Sequence, residues 1–321
     1  MRRLLITSLL LFAMILLAAC GGADDATDAP ETDDSADTED AVETDDAEAE
    51  ESTDGGGGVL AEIQESGTVT VGFANEKPYA YEEDGELKGA AVDIATAVFA
   101  ELGVDNVEGH LADFGQLIPG LNAKHFDVIT AGMAITPERC ENAAFGEPEM
   151  IYGEGIIVQA GNPKEIYSYK DIAADPDITV SIMAGATENE FVQQEGVDPS
   201  QIQSAPDIPA TLSAVESGRA DVTTGTSMTL LEAFESLGSD DIEFVMDFEQ
   251  PDIEGIPSYG AAAFHEDADD LREAYNEALA ELKDTDLYGE LLEANFFSLE
   301  SNGVGNDITA EEVCSGEIYQ Q

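Results

Sequence analysis

Arg139 is the residue of this chain best placed to do chemistry. It sits near the end of the run Gly132-Met133-Ala134-Ile135-Thr136-Pro137-Glu138-Arg139-Cys140, just beyond the apolar stretch Phe126-Asp127-Val128-Ile129-Thr130-Ala131. A glycine and a proline punctuate the turn, so the guanidinium is expected beyond the carboxyl end of a strand. There its planar fork of donors would grip a carboxylate in two places, a geometry that a lysine ammonium does not reproduce. The competing reading is a surface arginine in an ordinary ion pair. With 11 Lys+Arg against 70 Asp+Glu, an arginine in such a turn stands out. Single carboxylates such as Glu76 and Glu188 do not, and alone they read as solvated surface. His110, His125 and His265 lack metal-ligand spacing, so no metal is expected. Neither a nucleophile–base pair nor a phosphate loop is visible, and the chain reads as a non-enzyme without a cofactor.

The segments that must position these residues alternate in type. Thr68–Phe73 reads as a strand, with Asn75–Tyr81 as the loop leaving its carboxyl end, and Glu82–Leu87 as a tight hairpin. A helix follows over 90–102, with Val92, Ala95, Phe99 and Leu102 at helical spacing. A second helix, 114–123, leads into the strand at 126–131. Gly155–Gln159 is a strand leading out of this unit. Asp177–Ile182 then opens a second one, with helices over 188–195, 209–218 and 226–237 and strands over 220–225 and 242–246. Backbone donors at the start of the 188–195 helix offer a place for an anion. Ser258–Phe264 is a strand that crosses back to the first unit, and a long helix follows with Leu271, Tyr275, Ala278 and Leu282 on one face. This alternation predicts α/β lobes with mostly parallel sheets, which bind ligands beyond the carboxyl ends of their strands. Glu76, Tyr79 and Arg139 all fall at such ends.

Composition sets the surroundings. The chain has 321 residues, 43% of them hydrophobic, enough for two domains with real cores. Its formal charge of −59 argues against nucleic acid and anionic membrane surfaces as partners. Such a charge repels itself in dilute buffer and is tolerated at molar salt, where the screening length falls to about 3 Å, so a salt-loving source is expected. Met1-Arg2-Arg3, the apolar run Leu4–Leu17 and the sequence Leu17-Ala18-Ala19-Cys20-Gly21 have the shape of an export signal over 1–19. The small residues before Cys20 resemble the bacterial lipobox, in which the cysteine is acylated and anchors the mature chain to the membrane. Residues 20–58, largely Asp, Glu, Ala and Thr and ending in four glycines, are expected to be a disordered tether. In an exported protein the remaining cysteines, Cys140 and Cys314, are expected to pair, the alternative being two free buried thiols.

Taken in order from Val59 to Cys314, the chain resembles the solute-binding proteins of ABC importers, in the polar-amino-acid branch. The resemblance rests on Gly72-Phe73 with the Pro78-Tyr79 loop, Gly89-Ala90-Ala91-Val92-Asp93-Ile94, Leu117-Ile118-Pro119-Gly120-Leu121 and Phe126-Asp127-Val128-Ile129. It continues through Ile135-Thr136-Pro137-Glu138-Arg139, Gly185-Ala186-Thr187-Glu188 and Ser217-Gly218-Arg219-Ala220-Asp221. It implies a type II periplasmic-binding-protein-like fold, with lobe 1 over 59–156 and 258–321, lobe 2 over 157–257, two crossing strands and a ligand clasped between the lobes. It also implies a monomer that delivers a small zwitterionic solute to permease subunits.

By the same resemblance, Arg139 grips the ligand carboxylate. In α-amino-acid binders an aspartate some five residues past the Gly-Arg-Ala-Asp motif pairs with the α-ammonium, and here that position is Thr226. A neutral hydroxyl does not offset a buried ammonium. The departure, with the stretch Phe73–Tyr81 and the Arg139-Cys140 pair, is similar to a subgroup that binds ectoine and hydroxyectoine, whose ring is a delocalised amidinium. That resemblance implies that Glu76 accepts from the ring N–H groups and that Tyr79 and Phe114 face the cation at about 0.5–2 kcal/mol per contact. Thr187 would donate to the carboxylate, and Glu188 would bond the ring or the hydroxyl. Ala134 stands where a third aromatic is expected, and Met133 would fill part of the gap. The alternatives are a polar or cationic amino-acid receptor, and an exported cyclohexadienyl dehydratase-like enzyme using Glu76 or Glu188 as its acid or base.

Overall fold

A computed structural model describes residues 57–320. The expected leader, Cys20 and nearly all of the acidic tether lie outside the described residues.

The first lobe is built from α1 (Val59–Ser66), β1 (Thr68–Phe73), a hairpin of β2 (Tyr81–Glu83) and β3 (Glu86–Lys88), α2 (Ala90–Glu101), β4 (Asn106–Leu111), α3 (Leu117–Asn122), β5 (Val128–Ala134), α4 (Pro137–Cys140), β6 (Ala144–Phe145) and β7 (Met150–Tyr152). The second contains β8 (Glu154–Gln159), α5 (Tyr169–Ala174), β9 (Val180–Met183), α6 (Glu188–Gln194), β10 (Ile202–Ala205), α7 (Ile208–Glu216), β11 (Val222–Thr226), α8 (Ser227–Leu237) and β12 (Ile242–Phe244). The chain returns through β13 (Ser258–Phe264) and ends in α9 (Asp269–Lys283), α10 (Asp286–Ala294), α11 (Leu299–Asn302) and α12 (Ala310–Cys314).

The sheet of the first lobe runs β4-β1-β5-β13-β6, with β7 also on β13, and that of the second runs β10-β9-β11-β8-β12. In each, three neighbouring strands are parallel and the crossing strand, β13 or β8, is antiparallel to them. The geometry of crossing requires this. A strand arriving from the other lobe enters at the cleft, where the parallel strands end, and must run away from it. Gly260 accordingly pairs with Ala134 at the end of β5, and Glu154 with Thr226 at the end of β11. All of β8 belongs to the second sheet, so the first crossing falls at Gly153 and not after residue 156 as the sequence suggested.

β5 and β13 are buried at all seven positions each, as central strands covered on both faces must be. One face packs against α2 and α9, where Phe99, Leu271, Tyr275 and Leu279 are sealed from water. Each such side chain stabilises the lobe by about 1.5–3 kcal/mol relative to exposure. The other face packs against α3 and α12, and there the Cys140–Cys314 disulfide joins α4 to α12 with 5.9 Å between the Cα atoms. The expected 114–123 helix divides into a 3-10 turn, Phe114–Gln116, and α3.

Candidate functional site

The loops at the cleft ends of the parallel strands carry the candidate residues. After β1, Asn75 takes φ 56° and its Oδ1 accepts from Glu82 N at 3.0 Å. Tyr79 N and Ala80 N both donate to Glu76 O, at 2.9 and 3.0 Å, so Glu76 and Tyr79 are held in one tight turn. The first N–H groups of α2 fasten that turn, Ala90 N to Pro78 O and Ala91 N to Tyr79 O. Gly132, at φ +59°, lies under the Tyr79 ring, and a Cβ there would stand 2.4 Å from Tyr79 Cδ1. Only glycine lets β5 pass so close in that conformation.

Arg139 is positioned by α4, which Thr136 caps by accepting from Arg139 N at 3.2 Å and which Pro137 opens. Its Nη1 donates to Ala134 O at 2.8 Å in its own lobe, and its Nη2 to Gly185 O at 2.9 Å in the other. The guanidinium carbon lies 5.4 Å from the Phe114 ring centre, within cation–π range. Gly185, at φ +82°, meets Gly115 of the first lobe so closely that a Cβ would lie 2.6 Å from the Gly115 Cα. The two lobes are thus drawn together, backbone against backbone, beside the arginine.

Inside this contact is a small cavity of ≈ 30 Å³, and outside it a wider one of ≈ 620 Å³; Arg139 and Phe114 line both. All seven expected ligand residues, Glu76, Tyr79, Phe114, Arg139, Thr187, Glu188 and Thr226, line the inner cavity. Thr226 Oγ1 donates to Thr229 Oγ1 at 2.9 Å and contributes no charge. Met133 faces the outer cavity, so it does not fill the space beside Ala134. Tyr152 does. Its ring lines the inner cavity 5.3 Å from Tyr79, edge to face, and its Oη donates to Gly132 O at 2.7 Å. The spacing gave no hint of Tyr152, because β7 is only three residues long.

Glu154, also not foreseen, lies at the start of β8 and is 2% exposed. Neither of its carboxyl oxygens has a hydrogen-bond donor among the described residues. An acid immediately before an apolar crossing strand was the available signal, but one acid among 70 does not stand out.

The electrostatics follow from burial. Removal from water and then the nearby Glu188 raise Glu76, Arg139 opposes both, and the net result is about 8. Burial also raises Glu188, against the backbone N–H groups of Glu188 and Thr226, the Glu154 carboxyl and Arg139. Glu154 is pushed well above the carboxylate range by burial and then by Glu188. Burial pulls Arg139 down from its ordinary value, while Tyr152 and Glu188 push it back. One fixed cation, Arg139, therefore faces Glu76 and Glu188, and Glu154 packs against Glu188 with no positive partner of its own among the described residues. Such an arrangement offers donors suited to a carboxylate at one end and acceptors suited to a hydrogen-bonding cation at the other. Among the described residues no cluster of His, Cys, Asp and Glu is placed to hold a metal ion, and no helix is long and apolar enough to cross a membrane.

Two lobes clasping an enclosed, charged cleft have the architecture of a binding protein. The chain belongs to the bacterial extracellular solute-binding proteins, family 3, whose model matches residues 69–298. It is 39% identical over 261 residues to the "Probable amino-acid ABC transporter periplasmic-binding protein y4tE" of Sinorhizobium fredii, covering 80% of this chain and 86% of that one. It is 27% identical to the arginine-binding extracellular protein ArtP of Bacillus subtilis over 68% of this chain and 80% of ArtP. Among solved structures, EhuB in complex with hydroxyectoine superposes with a TM-score of 0.72 at 31% identity, covering 80% of this chain and 97% of EhuB. An ancestral arginine-binding protein bound to arginine gives 0.62 at 28% identity, covering 72% and 98%.

Proposed function

We propose that this protein is the receptor of an ABC importer and that it captures a zwitterion whose positive half is a delocalised, hydrogen-bonding cation, with ectoine and hydroxyectoine as the preferred solutes. The observation that carries this reading is the inner cavity, where Arg139 stands opposite Glu76 and Glu188 and three aromatic rings, Tyr79, Phe114 and Tyr152, share the walls. The ligand carboxylate takes the outward donors of Arg139 with Thr187. The lobes as drawn together here leave only ≈ 30 Å³, so the solute enters when they part, and its cationic ring then lies between the aromatic faces with its N–H groups on Glu76 and Glu188. Thr226 adds a neutral contact, which suits a ring without a free α-ammonium. Likeness to a hydroxyectoine complex over 80% of the chain supports the assignment. Only a ligand touching both lobes stabilises the closed state, and closure is what a permease would sense. In this reading the protein is a monomer and not an enzyme. An acyl anchor on Cys20 and an acidic tether hold it outside the membrane, in a salty medium that offers compatible solutes.

A second reading, a cationic amino-acid receptor, is favoured by the excess of acids in the cleft and by the similarity to ArtP. Isothermal titration in high salt with ectoine, hydroxyectoine, glycine betaine, L-arginine and L-glutamine separates the two. Saturable micromolar or tighter binding confined to the ectoines supports the first reading. Preference for L-arginine replaces it with the second, and a response to glycine betaine alone overturns both.

A further inference from the structure

Glu154 is a buried acid just behind the wall of the inner cavity. It is the first residue of β8, immediately after the chain crosses between lobes. Its backbone is fixed by Gln250, whose Oε1 accepts from Glu154 N at 2.8 Å and whose Nε2 donates to Glu154 O at 2.7 Å. The side chain is not fixed in this way. It stands directly across the ladder from Thr226, and paired residues of antiparallel strands project from the same face. Thr226 lines the inner cavity, and so does Glu188, whose carboxyl Glu154 meets. A second buried polar atom in the same place also lacks a partner, the Tyr79 hydroxyl.

Two buried carboxyl groups in contact, with no donor from the rest of the described protein at either Glu154 oxygen, are costly unless a proton is held between them or a cation joins them. We propose that Glu154 and Glu188 act as one acid pair that receives the cationic group of the solute, with Glu154 supplying, one strand away, the negative charge that position 226 lacks. The inference rests on the receptor reading above and adds to it the residue that selects for positive charge.

The proton balance is explicit. Without ligand, the two carboxyl groups share one proton, because burial and mutual repulsion oppose double ionisation. When an amidinium or guanidinium arrives with its N–H donors, that proton leaves to solvent; Glu188, on the cavity wall, accepts from the ligand, and Glu154, packed behind it, supplies the second negative charge. The other groups facing the pair are Glu76, Arg139, Tyr79, Tyr152 and Tyr169. The tyrosines stay neutral, their pKa values raised well above 10 by burial. Arg139 stays charged. Glu76 contributes a proton of its own, so the pair is identified by comparison with a variant and not by proton count alone.

The test uses the full chain and its Glu154→Gln variant, a neutral side chain of the same shape. Two kinds of probe are titrated at pH 6 to 8.5: the solutes ectoine, hydroxyectoine and L-arginine, and acetamidinium chloride, a bare amidinium, against sodium chloride of equal ionic strength. The expected result is at least a tenfold loss of affinity for the cationic solutes in Glu154→Gln. Proton release per binding event, read from titrations in buffers of different ionisation enthalpy, should also fall. Acetamidinium should raise the melting temperature of the unmodified protein at pH 8 and leave the variant unmoved. A double variant, Glu154→Gln with Thr226→Asp, should regain most of the lost affinity, which a purely structural role for Glu154 does not explain. Unchanged affinity and proton release in a folded Glu154→Gln variant would overturn the proposal. So would equal stabilisation of both proteins by acetamidinium. If no solute of the panel binds but acetamidinium discriminates the two proteins, the acid pair stands and the solute assignment falls.

Discussion

Glu149 and Glu154 lie five residues apart on either side of β7, and both carry carboxyl groups shut off from water. Their surroundings differ. Glu149 is held in the first lobe, where Tyr275 Oη donates to its Oε1, Tyr288 Oη donates to its carbonyl at 2.8 Å, and Lys283 reaches the neighbouring Pro148 O at 2.6 Å. Like Glu154 it is outside the lining of both cleft cavities, and its second carboxyl oxygen has no partner among the described residues. Glu154 has no donor from the rest of the described protein at either oxygen and packs against Glu188, behind the residues that line the inner cavity. Burial raises both pKa values, Glu149 to about 7 and Glu154 well above its ordinary range, so the shift does not distinguish them. The partners do. Glu149 is bonded by a tyrosine of its own lobe, whereas Glu154 faces a second carboxyl, Glu188, that lines the inner cavity, and it is this pair that a cation from outside would join.

The largest effect expected from breaking this contrast is at the single cleft cation. Arg139→Ala leaves the ligand carboxylate buried without its partner, a loss of about 3–5 kcal/mol or more than a hundredfold in affinity. Circular dichroism should show the fold retained. Titration showing affinity within threefold of the unmodified protein would remove Arg139 from the site. The reverse pattern belongs to the disulfide, which ties α4 to α12 across 174 residues of chain. Replacing Cys140 and Cys314 by serine should cost about 2–4 kcal/mol in denaturant unfolding. Ligand affinity should change much less, since neither cysteine lines the inner cavity.

The two acid sites also differ in the sign of their pH response. Glu149 has a raised pKa in the folded state, so its contribution is present below the ordinary carboxylate range and is lost as pH rises through about 7. At 1.36 kcal/mol per unit of pKa shift, the ligand-free protein should lose up to about 3 kcal/mol between pH 4 and 8 from this group. Glu149→Gln should flatten that slope, and melts of unchanged slope would refute it. In the cleft the ligand requires the ionised form. Affinity for a cationic solute should therefore climb as pH rises toward 8, where Glu76 ionises, and level off above. Affinity that falls over this range would place the cationic group elsewhere.

The parts of the site legible in the sequence were those marked by punctuation. Gly132, Pro137 and the strand before them placed Arg139, and the turn residues after β1 placed Glu76 and Tyr79. Where the chain presents no pattern, nothing could be read. β4 is an edge strand whose residues are almost all exposed, so it lacks the alternation that marks a half-buried strand. Tyr152 and Glu154 owe their position to a crossing between lobes, and their burial is a property of the closed fold with no trace in local spacing.

The smallest effect repeats the comparison inside the cleft, on two tyrosines 5.3 Å apart. Tyr152 Oη is satisfied by Gly132 O, whereas Tyr79 Oη is buried with no partner. Tyr152→Phe deletes a made hydrogen bond and leaves a carbonyl short of a donor, which should cost about 1 kcal/mol of stability in the ligand-free protein. Tyr79→Phe removes a hydroxyl that gains nothing from the fold. It should leave the ligand-free protein as stable as before or slightly more so, and weaken ligand binding by about 0.5–1.5 kcal/mol if the solute supplies the missing partner. Thermal melts with and without ligand separate the cases. If Tyr79→Phe destabilises the ligand-free protein as much as Tyr152→Phe does, the Tyr79 hydroxyl belongs to the fold and the contrast between satisfied and waiting groups fails at that residue.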